Sequence, residues 1–175
     1  MSETGELTRM VRADRLPAEP MTVEASEEER EALAQRFGLA AIERLEARLG
    51  FEPDGNAVEA KGTLAAAFTQ ECAVSGEPFA NRIEEAIAMR FVPESAMAEV
   101  SPDEEIELDA DELDDIPYTG DSFDLGEAIA QSFVLALDPY AEGPGADEAR
   151  REAGIASDDA PRGALADALA ALKRD

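Results

Sequence analysis

The sequence predicts an α+β domain, an antiparallel β-sheet with helices packed on one face, interrupted by an acidic loop and followed by a flexible C-terminal segment. Three observations predict it. Two long stretches alternate apolar and polar residues with the period of a strand, over 56–72 and 83–91. Two others, 26–38 and 124–137, carry helix caps and helical apolar spacing. Between 91 and 149 there are 18 acidic residues and no Lys or Arg.

The first helix is expected over Ser26 to Gly38. Ser26 is its N-cap, Glu29 three residues on completes a capping box, and Gly38 is a C-terminal stop. Leu33, Ala34 and Phe37 form its apolar side, and acids in the first turn suit the helix dipole. Leu45, Ala47, Leu49 and Phe51 then alternate with Glu46 and Arg48 up to the turn signal Pro53-Asp54-Gly55. That reads as a strand, although residues 39–49 also satisfy a helical period.

The best strand runs from Asn56 to Cys72. Val58, Ala60, Gly62, Leu64, Ala66, Phe68 and Cys72 share one parity, and Glu59, Lys61, Thr63, Thr69 and Glu71 the other. Ile83, Ile87, Met89 and Phe91 repeat the pattern, so an antiparallel hairpin is expected with a loop from Ala73 to Asn81. The run Ser101 to Asp115 has too little apolar content to offset its ordering entropy and reads as a mobile acidic loop. The second helix is expected over Asp124 to Leu137, with Asp124 and Glu127 as a capping-box variant and Leu125, Ile129, Phe133 and Leu137 on one face; Asp138-Pro139 ends it. The expected organisation is one domain over 1–140, a flexible linker over 141–163 and a short helical tail over 164–175. Leu165, Leu169 and Leu172 form an apolar stripe on that tail, for its own sheet or for a partner's groove.

Composition removes several chemistries. The 175 residues include no His, no Trp and a single Cys, against 41 Asp plus Glu and 15 Lys plus Arg, a net charge of -26. Imidazole catalysis and ordinary zinc sites need residues the chain lacks. Binding to naked RNA is disfavoured, because phosphate affinity comes mainly from Lys and Arg. A direct RNA binder would need Arg30, Arg36, Arg44, Arg48, Lys61, Arg82 and Arg90 gathered on one face. A calcium loop at Asp109 and Asp111 fails, since Leu113 and Asp114 occupy positions that need a ligand and a glycine. The first residues lack a signal-peptide core and no apolar run suits a membrane span, so a reducing cytoplasm is expected.

Paired carboxylates could serve acid–base chemistry, but nothing joins them to a nucleophile motif, a metal spacing or a phosphate loop, so no enzyme activity and no cofactor are expected. Cys72 reads as a buried small residue rather than a reactive thiol, and Glu71 and Glu77 are expected to raise its pKa. An acidic surface of this strength suits a basic protein partner; an acidic nucleic-acid mimic that inhibits a basic nuclease is the alternative.

The segment QECAVSGEPF (70–79), the strand after it, GDSFDLGEAIAQSFVLALDPY (120–140) and a tail ending in LAALKRD (169–175) resemble, in order and spacing, the YceD family in its alphaproteobacterial form. The resemblance implies a non-enzymatic role in accumulation of large-subunit ribosomal RNA and in biogenesis of the large subunit. It also suggests a basic ribosomal protein or large-subunit assembly factor as the partner. Candidate partner-binding residues are Cys72, Gly76, Glu77, Pro78 and Phe79 at the hairpin, Asp124, Leu125, Gly126 and Glu127 at the second helix, and Asp111, Glu112, Asp114 and Asp115 of the acidic run. Turn geometry and helix capping are the structural roles these residues would otherwise fill. Many relatives carry Cys-x-x-Cys where this chain has Cys72-Ala73-Val74-Ser75, so a metal or redox role for that pair cannot operate here. The usual Asn-Pro-Phe-Ala opening of the last motif is replaced by Pro161-Arg162-Gly163-Ala164.

Overall fold

Alternation sets the centre of the sheet. In a computed structural model, which describes residues 6–96 and 115–155, strand β4 (Ala57–Glu71) lies between β3 (Ala41–Asp54) and β5 (Pro78–Pro93), antiparallel to both. Its inward parity, Val58, Ala60, Leu64, Ala66 and Phe68, is buried. Strand β2 (Met21–Glu24) adds to β3 antiparallel, and β6 (Asp115–Tyr118) adds to β5 in parallel, giving the order β2-β3-β4-β5-β6. A separate two-stranded ribbon joins β1 (Met10–Arg12) to β7 (Ser122–Asp124).

The ambiguous stretch 39–49 is resolved as strand. A bulge between Ile42 and Arg44 gives Glu43 the extra place, so that Ile42 and Leu45, three apart, both face inward. Strand β3 also runs through Pro53 and Asp54, because Gly55 (φ 59°) and Asn56 alone make the turn. At the other hairpin the loop is shorter than expected. Pro78 opens β5 opposite Glu71, a place where its missing N–H is tolerated, and Phe79, Ala80 and Asn81 belong to the ladder.

Helix α1 (Glu27–Phe37) has the expected ends: Ser26 and Glu29 complete the capping box, and Gly38 closes it in the left-handed region. Glu29 also meets Arg9 at 2.6 Å, and this guanidinium, with the Ser26 N–H, holds its carboxyl down to about 2. Helix α2 (Leu125–Leu135) starts as expected, with the Asp124 carboxylate accepting from the N–H groups of Gly126 and Glu127. It stops two residues early at the Ala136 cap, and Glu127 turns to Arg36 of α1 (2.7 Å) in place of closing a capping box.

Both helices pack on the inner side of the sheet, α1 on β3 and α2 over β1 and β4. Phe133 joins the layers, edge-on to Phe37 at 5.9 Å and to Phe68 at 5.5 Å. At the far end Phe123 stacks on Phe91 at 4.0 Å, within a core that also takes in Leu125 and Ile129. The expected linker is partly ordered: residues 141–145 lie against the hairpin loop and the start of β5, and helix α3 (Ala146–Glu152) follows them. Most of the acidic run, including Asp111, Glu112 and Asp114, and the tail over 164–175 lie outside the described residues.

Candidate functional site

The hairpin loop after β4 is folded around its cysteine. Cys72 donates its N–H to the Glu77 carbonyl and accepts at its own carbonyl from Gly76, whose φ of 70° closes the turn. The Sγ atom of Cys72 accepts from the N–H groups of Val74 and Ser75, each at 3.4 Å. Across the loop, Ala73 donates to the Ala141 carbonyl. A Cβ at Gly143 would lie 2.9 Å from the Phe79 ring, and one at Gly145 would lie 2.5 Å from the Glu77 carboxylate. These contacts border a cleft of about 390 Å³ lined by Cys72, Ser75, Glu77, Phe79, Gly143 and Gly145.

The expectation that Glu71 and Glu77 raise the Cys72 pKa is overturned. Hydrogen bonds from Ser75, from the Gly143 backbone and from Val74 favour the thiolate and bring it to about 7, from an ordinary 9.0. The thiolate therefore adds stability in full above pH 9.0 and none below about 7. Stability relative to Cys72→Ala is expected to rise across that interval, and thiolate absorbance to titrate near 7. Ser75→Ala should move the titration upward, and a midpoint at the ordinary value would refute the arrangement.

The second cluster lies elsewhere. Asp124 caps α2 and accepts from the Arg9 N–H at 2.8 Å, and Leu125 is fully buried. Gly126 lets the N-terminal segment approach, since a Cβ there would lie 2.5 Å from the Leu7 carbonyl oxygen. The Cys72 loop is far from these residues. Phe123, next to Asp124, stacks on Phe91, whose ladder partner is Val58, and Cys72 follows about 14 residues along β4, roughly 45 Å of strand. The two motifs therefore form two places and not one site.

Asp115 is engaged by Arg90 at 2.6 Å, and Arg90 also contacts Asp54. Among the described residues the other cations form no uninterrupted basic face. Arg30 donates to the Ala25 and Ile42 carbonyls, and Arg36 is held between Glu6 and Glu127. Register places Arg44, Arg48, Lys61, Arg82 and Arg90 on the outer face of the sheet, interleaved with Glu46, Glu59, Glu84 and Asp115. Arg44 pairs there with Glu46, and Lys61 with Glu59. Among the described residues no group of three Cys, Asp or Glu side chains could hold a metal ion.

A family model described as large ribosomal RNA subunit accumulation protein YceD matches residues 60–173. The chain belongs to the YceD family. That match takes in most of β4, all of β5 to α3 and both motif clusters, and leaves out β1, β2, α1 and β3, against which the YceD portion packs its inner face. No curated protein and no solved structure matches the chain. Within this YceD protein, sequence reasoning missed Ser75, Ala141, Gly143 and Gly145 as partners of the hairpin loop. Their one signal is the Gly-Pro-Gly run, which reads equally as a linker. No helix among the described residues is long and apolar enough to cross a membrane.

Proposed function

We propose that this YceD protein supports accumulation of the large-subunit ribosomal RNA without catalysing a reaction, by holding a basic ribosomal protein or large-subunit assembly factor in the cytoplasm. The observation that carries this reading is the charge pattern. Residues 91–149 hold 18 carboxylates and no Lys or Arg. A one-signed stretch of this kind steers a basic partner and repels phosphate. The engagement of Arg36, Arg44, Lys61 and Arg90 by carboxylates points the same way, because a competing RNA backbone would have to displace those acids.

Affinity capture of the tagged full-length protein from cell extract near physiological salt, with and without nuclease, tests the reading. The expected result is a basic ribosomal protein retained after nuclease treatment. The variant Asp111→Asn, Glu112→Gln, Asp114→Asn, which spares the Asp115 that holds Arg90, should lower that retention by about tenfold. Loss of every partner with the RNA, or retention untouched by the three substitutions, would overturn it.

A further inference from the structure

Among the described residues, strand β5 has one edge that is open over most of its length. Strand β4 runs along one side of it from Pro78 to Phe91, whereas β6 takes the other side only from Arg90 to Pro93. The Cys72 N–H donates to the Glu77 carbonyl, so the alternation of an antiparallel ladder turns the odd-numbered residues of β5 toward β4. Ala80, Arg82, Glu84, Ala86 and Ala88 then aim their N–H and C=O groups away from it, and all five are exposed. The Arg82 N–H donates to the Asn81 side chain at 2.8 Å in place of a ladder acceptor. Such an edge, with half-buried Phe79, Ile83 and Ile87 on its inner face, is a template for a further strand.

The order of residues along this edge is complementary to itself. Two copies of β5 related by a two-fold axis through Ile83 pair antiparallel, and on the outer face Arg82 of each copy meets Glu84 of the other. On the inner face Ile83 meets its own copy, Phe79 meets Ile87, and Asn81 sets its amide against the Glu85 carboxylate. Each pair joins unlike charges, an amide with a carboxylate, or apolar with apolar side chains. Neither Arg82 nor Glu84 has an ion-pair partner among the described residues. Moving the axis to Arg82 or to Glu84 sets like charges opposite each other, and at Glu84 it also drives Pro78 onto Arg90, where β6 already lies. With the axis at Ile83 the last rung is Pro78 against Ala88, just before β6 begins. Charge and space therefore select the same register.

We propose that the edge of β5 from Pro78 to Ala88 is an isologous interface, at which two copies of this chain join their sheets antiparallel about Ile83. The idea is independent of which partner the acidic residues hold. The net charge of -26 opposes self-association at long range, but near physiological salt charges more than about 8 Å apart are largely screened. Light scattering of the full-length protein across a dilution series at that salt tests the interface. The native chain is expected to pass from twice the monomer mass to the monomer mass on dilution. Arg82→Glu, which sets two carboxylates opposite each other, should weaken association about tenfold, and Arg82→Glu with Glu84→Arg should restore it. Both side chains are exposed, so neither variant disturbs the core. In a Cys72→Ser background, Ile83→Cys should form a disulfide between copies, because the narrow pair brings the two Cα atoms to about 4.5 Å; Ile87→Cys, which faces Phe79, should not. A native chain that is monomeric throughout, or association untouched by Arg82→Glu, overturns the proposal. Protection of the amides of 80–88 that arises only on adding a basic ribosomal protein would give the edge to that partner, sinking this proposal while leaving the partner reading intact.

Discussion

Replacing Gly62 by alanine is expected to cost about 3 kcal/mol or more, at or above the upper end of overpacking penalties. A Cβ there would lie 1.8 Å from the Arg48 carbonyl oxygen, 2.8 Å from its carbon and 2.9 Å from the Leu49 Cα. All three atoms are backbone, so no rotamer change relieves the clash. Gly62 also sits mid-sheet, opposite Leu49 on one side and Ile87 on the other, and the strands cannot part there without opening both ladders. Gly50 on the neighbouring strand provides a control, because its Cβ would meet nothing closer than 3.9 Å. Urea unfolding should show a large fall in midpoint for Gly62→Ala and a small one for Gly50→Ala. Similar midpoints for the two variants would mean that the strands splay at no cost.

Phe133→Ala is expected to cost about 3–5 kcal/mol, the usual range for emptying a buried aromatic site. Phe133 is fully buried and is the ring through which α2 meets both Phe37 of α1 and Phe68 of β4. Its loss removes two edge-on ring contacts as well as the transfer energy of the side chain. Phe133→Leu, which keeps most of the volume, should lose markedly less. Thermal and urea unfolding of the three proteins side by side check the ordering, and equal losses for leucine and alanine would show that ring geometry outweighs volume at this position.

The long elements could be read in the sequence because each repeats one signal many times. In β4, six inward positions from Val58 to Phe68 agree on a single parity, and the polar Gln70 that follows on the same parity is buried with them. Helix α1 was legible through side-chain chemistry at its ends, since Ser26, Glu29 and Gly38 each satisfy a defined backbone need. Strands β1 and β7 were not legible. Each has three residues, too few to show a period, and each exists because Val11 or Phe123 is buried against elements distant in sequence. The candidate site fared less evenly. Gly76 was placed correctly in the turn and Asp124 as the cap, whereas Pro78 opens β5 and Glu127 pairs with Arg36; nothing in the order of residues reveals that 141–145 returns to the Cys72 loop, or that N–H donors outweigh nearby carboxylates at its sulfur.

The parallel placement of β6 beside β5 has a consequence for how this protein can vary. The chain leaves β5 at Pro93 and must come back to pair Asp115 with Arg90, so the acidic stretch has both feet fixed on one edge of the sheet. The entropy of closing such a connection grows only logarithmically, about 0.6 kcal/mol for each doubling of length. Carboxylates can therefore be added to or removed from this connection over generations at little cost to the sheet, and the strength of the electrostatic field becomes a quantity that selection can adjust separately from the stability of the fold.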